Sequence, residues 1–80
     1  MTREEIFEEL RKAMVELFEL EPERVTLDSR LIDDLQLDSI DAVDLVVKMQ
    51  ELCGQRIEQE AFRSVRTVSD IVNLVHRRLS

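Results

Sequence analysis

The sequence predicts an all-α protein: a four-helix bundle with a long loop between helices 1 and 2 and a short helix 3. The 80 residues include one Gly and one Pro, so little in the chain interrupts a helix. Apolar residues recur at helical spacing in three stretches, and each stretch opens with residues typical of a helix N-cap. Hydrophobic residues make up 44% of the chain, which argues against disorder. We therefore expect one small folded domain, residues 1–80.

The first helix is expected over about residues 3–20. Thr2 and Glu5 have the spacing of a capping box, in which the hydroxyl accepts one free backbone N–H and the carboxylate accepts another. One broad apolar face follows, formed by Ile6, Phe7, Leu10, Ala13, Met14, Leu17 and Phe18. Because the residue before a proline resists the helical conformation, this helix should end near Glu21 and Pro22.

Residues 22–38 show no persistent period and are expected to form a long, ordered loop. Apolar side chains should pin this loop to the core: Val25, Leu27, Leu31, Ile32, Leu35 and Leu37. Loops of this length without regular structure are uncommon in compact domains and are often functional. Attention therefore falls on the residues at the end of the loop.

The second helix is expected to start at Ser39, with Asp38 as its N-cap and Asp41 in its first turn. A carboxylate at each of these positions complements the helix dipole. The helix should continue to residue 52 or 53 and end at Gly54, since glycine most easily takes the left-handed conformation that follows a helix.

Two further helices are expected after Gly54. Residues 58–64 could form one or two helical turns, the short helix 3. Thr67 and Asp70 have the spacing of another cap, and one apolar stripe follows them: Val68, Ile71, Val72, Val75 and Leu79. Along these elements, His76 is expected to be solvated and Cys53 to be a small buried hydrophobe.

The second helix carries two apolar seams. At about 100° per residue, one arc holds the core positions Ala42, Leu45, Val46, Met49 and Cys53. Ile40, Val43 and Val47 lie on a second seam, beside Asp44 and Glu51. This seam could pack under the long loop as a satellite of the core, or it could be an exposed patch, rimmed by acids, that binds a partner.

Charge limits the function classes. The chain has 18 acidic and 11 basic residues, and nine of the acids lie in residues 28–60. An acidic surface repels phosphate backbones and anionic membrane surfaces, so we expect partners with basic surfaces and no nucleic-acid binding. No long apolar run appears at the N-terminus, so we expect no membrane insertion. A core this thin houses no deep cleft, so we do not expect the chain to be an enzyme. The lone Cys53 and the absence of a leader-like segment favour a cytoplasmic protein, and we expect a monomer.

Ser39 is the candidate site residue. Since Asp38 already supplies the cap, the Ser39 hydroxyl should be free at a helix N-terminus, where a phosphate group is favoured. Ser29 is its nearest rival, because it also follows an aspartate, but no comparable helix follows it. No Ser, His and carboxylate trio can be assembled, and the aspartates lack the spacing of an EF-hand, so neither a catalytic residue nor a metal site is predicted.

Residues 33–46, Asp-Asp-Leu-Gln-Leu-Asp-Ser-Ile-Asp-Ala-Val-Asp-Leu-Val, closely resemble the acyl carrier protein family, whose signature is Asp-Ser-Leu or Asp-Ser-Ile at the start of the second helix. The capped first helix, Gly54 and the Thr67 cap follow the family in order and spacing. Gln36 stands where the family usually has Gly, and Ile40 where Leu is commoner. The Asp-Ser-Ile form is similar to carriers of polyketide and other specialised systems as well as to fatty-acid carriers.

The resemblance implies a bundle of acyl-carrier type that carries acyl intermediates as thioesters on 4′-phosphopantetheine attached to Ser39. It implies a phosphopantetheinyl transferase, acyltransferases, ketosynthases and other acyl-processing enzymes as partners. Partner contacts are expected from one face of the second helix: Asp38, Ile40, Asp41, Val43, Asp44, Val47 and Glu51. A D-alanyl or other aminoacyl carrier, and an acidic helical interaction domain without a prosthetic group, remain as alternatives.

Overall fold

The structure, a computed structural model, describes residues 1–79. The described part holds four α-helices, with a 3₁₀ turn at Pro22–Arg24 in the loop between the first two. The α-helices are α1 (Arg3–Phe18), α2 (Ser39–Cys53), α3 (Gln59–Phe62) and α4 (Val68–Leu79). α1 packs against α2 and α4, and α2 also contacts α3 and α4. The predicted all-α class, the long loop and the short third helix are confirmed.

Reciprocal side-chain caps form at the predicted starts of α1, α2 and α4. In α1, Thr2 Oγ1 accepts the N–H of Glu5 at 3.1 Å, and Glu5 Oε1 accepts the N–H of Thr2 at 2.9 Å. In α4, Asp70 Oδ2 accepts the N–H of Thr67 at 3.1 Å, and Thr67 Oγ1 accepts the N–H of Asp70 at 3.3 Å. These bonds satisfy backbone donors that a helix start otherwise leaves without partners.

The first helix ends earlier than the sequence predicts. The expectation of an end near residue 20, before Pro22, is wrong by about one half-turn, because Glu19 takes the left-handed conformation with φ 55° and closes α1 at Phe18. In contrast, α2 ends as predicted, with Gly54 left-handed at φ 66°. The end of α1 is therefore set by the left-handed residue Glu19 and not by the restriction that Pro22 places on the residue before it.

The core lies between α1, α2 and α4 and includes part of the long loop. Its buried members are Ile6, Leu10, Ala13, Met14, Val25, Leu35, Leu37, Leu45, Met49, Ile57, Val68, Ile71, Val72, Leu74 and Val75. Leu27 and Ile32, predicted to pin the loop, are exposed instead. Hydrogen bonds between backbone groups hold this part of the loop, since the carbonyls of Leu27 and Ser29 accept N–H groups from the start of α4 at 2.9 and 3.0 Å.

Two single residues differ from expectation in burial. Cys53 is partly buried, not fully, and its Sγ lies 3.5 Å from the carbonyl oxygen of Gln55. His76, expected to be solvated, is also partly buried. Across residues 1–79, none of the helices has both the length and the apolar character needed to cross a membrane.

Candidate functional site

Asp38 organises the start of α2. Its Oδ1 accepts the N–H groups of Ile40 at 3.0 Å and Asp41 at 2.9 Å, while Asp41 Oδ2 accepts the N–H of Asp38 at 3.1 Å. Both carboxylates are therefore used to hold the first turn. The predicted cap is confirmed, and it places Ser39 as the first residue of α2 in a fixed backbone conformation.

The two candidate serines differ in accessibility. Ser39 is exposed, and within residues 1–79 its hydroxyl makes no hydrogen bond. Ser29 is only 6% exposed. Its Oγ accepts the N–H of Thr26 at 2.9 Å and donates to the carbonyl of Arg24 at 2.7 Å. The Ser29 hydroxyl thus holds the loop together, whereas the Ser39 hydroxyl is open to an incoming reagent.

A cavity of about 330 Å³ opens beside Ser39, between the long loop, α2 and the segment that joins α3 to α4. Its walls are mainly apolar: Leu31, Ile32, Leu37, Ala42, Leu45, Phe62 and Val65. Arg30, Asp33, Asp38 and Arg66 supply the polar lining. Ligand cavities of this kind combine hydrophobic walls with a few placed polar groups. A second depression, of about 490 Å³, is more polar, and Ser39 is not among the residues that line it.

The second seam of α2 is exposed. Ile40 is 72% exposed, Val43 43% and Val47 48%, so the seam does not pack under the loop. Asp44 and Glu51 are exposed beside it. Of the two interpretations left open by the sequence, the satellite core is wrong. The face from Ile40 to Glu51 is an apolar patch with an acidic rim, adjacent to the open hydroxyl of Ser39.

Sequence reasoning missed the two arginines of the cavity. Arg30 lies in the loop and Arg66 lies just before α4, and only the fold brings them to the same cavity. No local spacing links the two residues, so no signal in the sequence could have paired them. Within the described range, no group of three His, Cys, Asp or Glu side chains is arranged to hold a metal ion.

Comparisons with known proteins agree with this geometry. A model of the phosphopantetheine attachment site family matches residues 8–75. Acyl carrier protein 2 of Ralstonia nicotianae is 49% identical over 80 residues, covering 100% of this chain and 99% of the relative. An acyl carrier protein of Coprothermobacter proteolyticus is 35% identical over 79 residues, covering 99% of this chain and 96% of the relative.

The family model and the full-length relatives place this helical bundle among carriers of covalently attached groups. The chain belongs to the acyl carrier protein family. It is a non-enzymatic carrier of acyl groups, and its cofactor is covalent 4′-phosphopantetheine. Its partners include, in general, a phosphopantetheinyl transferase and acyl-processing enzymes. The alternative of an interaction domain without a prosthetic group is therefore wrong.

Proposed function

We propose that Ser39 is the residue that carries 4′-phosphopantetheine, and that this chain presents acyl groups to biosynthetic enzymes through the exposed face of α2. The observation that carries the proposal is the contrast between the two serines that follow an aspartate. Ser39 is exposed with an open hydroxyl, whereas the hydroxyl of Ser29 is buried and used in hydrogen bonds.

The residues around Ser39 fit the prosthetic group. Asp38 takes two N–H groups of the first turn but leaves that of Ser39, which has no partner within residues 1–79, so a phosphodiester on Ser39 Oγ lies beside a free donor. When bound, the group supplies a flexible arm with a terminal thiol, which holds the acyl group as a thioester. The rigid helix start holds the arm at one point on the surface.

The cavity beside Ser39 supports a role in sheltering the acyl group. Leu37, Leu45 and Phe62 give it apolar walls, and burial of hydrocarbon against such walls is favourable by about 25 cal/mol per Å². An acyl chain there is withdrawn from water, and a partner enzyme must draw the chain out to act on it. Leu45 thus serves both the core and the cavity.

The exposed face of α2 supports docking of enzymes with basic surfaces. Ile40, Val43 and Val47 offer apolar contact, and Asp44 and Glu51 offer charges that steer an oppositely charged partner. We assign to this face the phosphopantetheinyl transferase, acyltransferases and ketosynthases of fatty-acid, polyketide or related lipid biosynthesis. Asp38 and Asp41 contribute negative charge at the same end of the helix.

We further propose that the chain works as one domain, residues 1–80, and as a monomer in the cytoplasm. The four α-helices found in residues 1–79 contribute to, or pack against, one common core, which supports a single domain. The lone thiol of Cys53 suits a reducing compartment, because it requires no disulfide partner.

The assignment of Ser39 is tested by intact-mass analysis after incubation of the purified apo protein with coenzyme A and a phosphopantetheinyl transferase. We expect Ser39→Ala to remain folded and to gain no mass. Ser29→Ala is the matched control: it loses a buried hydroxyl and some stability, but it should be modified fully. Modification of Ser39→Ala, or loss of modification in a folded Ser29→Ala, would contradict the proposal.

A further inference from the structure

Backbone pairing brings two arginines to the cavity beside Ser39. Arg30 and Thr67 form an isolated antiparallel bridge, and the N–H of Leu31 donates to the carbonyl of Arg66 at 3.0 Å. The loop and the segment before α4 therefore lie side by side. As a result, both Arg30 and Arg66 line the cavity of an otherwise acidic protein.

The charge of Arg30 is balanced locally. Its Nη1 lies 3.5 Å from Asp33 Oδ2, and its Nε lies 3.5 Å from Asp34 Oδ2. The other acid at the cavity, Asp38, is occupied by two backbone N–H groups of α2. Arg30 is thus already paired with two carboxylates, and Asp38 keeps its negative charge among the residues that line the cavity.

Arg66 forms no such ion pair within residues 1–79. Its Nη1 donates to the carbonyls of Arg63 at 2.8 Å and Val65 at 3.3 Å, and neutral carbonyls do not cancel a positive charge. Within residues 1–79, no carboxylate oxygen lies within 4.0 Å of its guanidinium nitrogens. The nearby Asp70 carboxylate accepts the backbone N–H groups of Arg66 and Thr67. These bonds lower the pKa of Asp70, and the positive charge of Arg66 lowers it further, so Asp70 offsets part of the guanidinium charge. The Nε and Nη2 groups of Arg66 remain as donors for an anion.

We propose that Arg66 makes this cavity selective for acyl groups that end in a carboxylate, in preference to hydrocarbon acyl groups of equal length. The proposal rests on the proposed function, namely that the acyl group is tethered to Ser39 beside the cavity. The hydrocarbon part of such a group lies against the apolar walls, and its terminal carboxylate meets the guanidinium in a charge-assisted pair.

The test compares six-carbon acyl groups that differ at one end. Wild type is loaded by a phosphopantetheinyl transferase from hexanoyl-, adipoyl- or unacylated coenzyme A, and intact mass confirms each form before its thermal midpoint is measured. We expect adipoyl loading to raise the midpoint by about 5 °C more than hexanoyl loading, the scale of one charge-assisted contact in a domain of this size. The Nε–H resonance of Arg66 should shift in the adipoyl form alone.

Two variants locate the effect. In Arg66→Gln the adipoyl advantage should vanish while hexanoyl loading still stabilises, because an unpaired carboxylate stays in water. Arg56→Gln, which removes an exposed arginine outside the cavity, should keep the wild-type order. The proposal is overturned if adipoyl and hexanoyl forms have equal midpoints in wild type, or if Arg66→Gln keeps the adipoyl advantage.

The phosphodiester of the arm is the competing anion. If Arg66 binds the phosphodiester instead, the unacylated arm alone will raise the midpoint, Arg66→Gln will abolish that rise, and adipoyl will add nothing beyond hexanoyl. That result overturns the carboxylate selectivity. Failure of Ser39 loading itself would appear in the intact mass and would refute the proposed function, so the two failures are distinguishable.

Discussion

Single residues of the long loop hold conformations and contacts that position α2. Gln36, two residues before the Asp38 cap, is left-handed with φ 57°. For a residue with a Cβ, this conformation is disfavoured by about 1–2 kcal/mol. The N–H of Gln36 donates to the carbonyl of Ile32 at 3.0 Å, so a hydrogen-bonded turn maintains the strained backbone. The position therefore suits the glycine that the family usually has there.

Replacement of Gln36 by Gly should stabilise the protein slightly. Relief of the left-handed strain outweighs the added freedom of glycine in the unfolded chain, which costs about 0.4–1 kcal/mol, and we expect a net gain of about 0.5 kcal/mol. Urea denaturation measures the change. Gln55→Gly is the control, because Gln55 has no positive φ and its replacement should destabilise. If Gln36→Gly and Gln55→Gly lose equal amounts of unfolding free energy, the backbone at Gln36 is not strained.

At the scale of elements, α2 is a helix with two different apolar faces. Leu45 is 1% exposed and belongs to the core, whereas Val47 lies on the exposed second seam. The two residues are close in the chain, but one is buried and the other is exposed. Substitutions at these positions can therefore distinguish the contribution of α2 to folding from its contribution to binding.

Truncation of these two residues should have different effects. Leu45→Ala should destabilise the fold by about 2–5 kcal/mol, since it leaves a cavity in the core. Val47→Ala should change stability by less than about 0.5 kcal/mol and should weaken association with a partner enzyme. Denaturation midpoints and a binding titration with the transferase measure both effects. If Val47→Ala lowers the denaturation midpoint as much as Leu45→Ala does, Val47 is part of the core and does not belong to a contact surface.

The acidic rim of α2 should govern the rate of encounter with basic partners. Asp44→Asn combined with Glu51→Gln leaves the Asp38 and Asp41 cap intact. If each exposed charge contributes about 0.5 kcal/mol, the association rate with the transferase should fall about fivefold at low salt and the difference should shrink at high salt.

The control for this variant removes the same charge elsewhere. Glu4→Gln with Glu23→Gln neutralises two exposed acids outside α2 and should leave the association rate close to that of wild type. If both double variants slow association equally, net charge and not the face of α2 controls the encounter.

At the scale of the whole molecule, contacts at the start of α4 join the long loop to the bundle. The carboxylate of Asp70 accepts the N–H groups of Arg66 at 2.9 Å and Thr67 at 3.1 Å, and the same segment pairs with the loop at Arg30. The hydrogen bond from the Arg66 N–H is the main cause that lowers the pKa of Asp70 below its ordinary value of 3.8. The hydrogen bond from the Thr67 N–H is the second cause.

Stability should therefore fall in acid through Asp70. A carboxyl whose folded pKa is lowered stabilises the protein above its unfolded pKa, and this contribution is lost as the pH falls below about 4 toward the folded pKa. Asp70→Asn should be less stable than wild type at pH 7, and the difference should narrow between pH 4 and pH 2. Urea denaturation across this range measures it, and a difference independent of pH would contradict the role of the charged carboxylate.

The sequence alone determined the features that depend on neighbours within one helical turn. The starts of α1, α2 and α4 follow from caps three residues apart, and the motif around Ser39 follows from its immediate flanks. Such interactions need no distant partner, so their residue types and spacing are sufficient to predict them. The sequence does not predict the end of α1, because a left-handed Glu19, which no residue type signals, closes the helix before Pro22.

Only the tertiary structure decided which surfaces are buried and which residues from distant parts of the chain meet. Helical periodicity could not tell whether the seam of Ile40, Val43 and Val47 is covered, because covering depends on where the loop packs. The same packing buries the hydroxyl of Ser29 and brings Arg30 and Arg66 to one cavity. Burial and long-range pairing are properties of the whole folded chain, since each surface is set by the elements that pack against it.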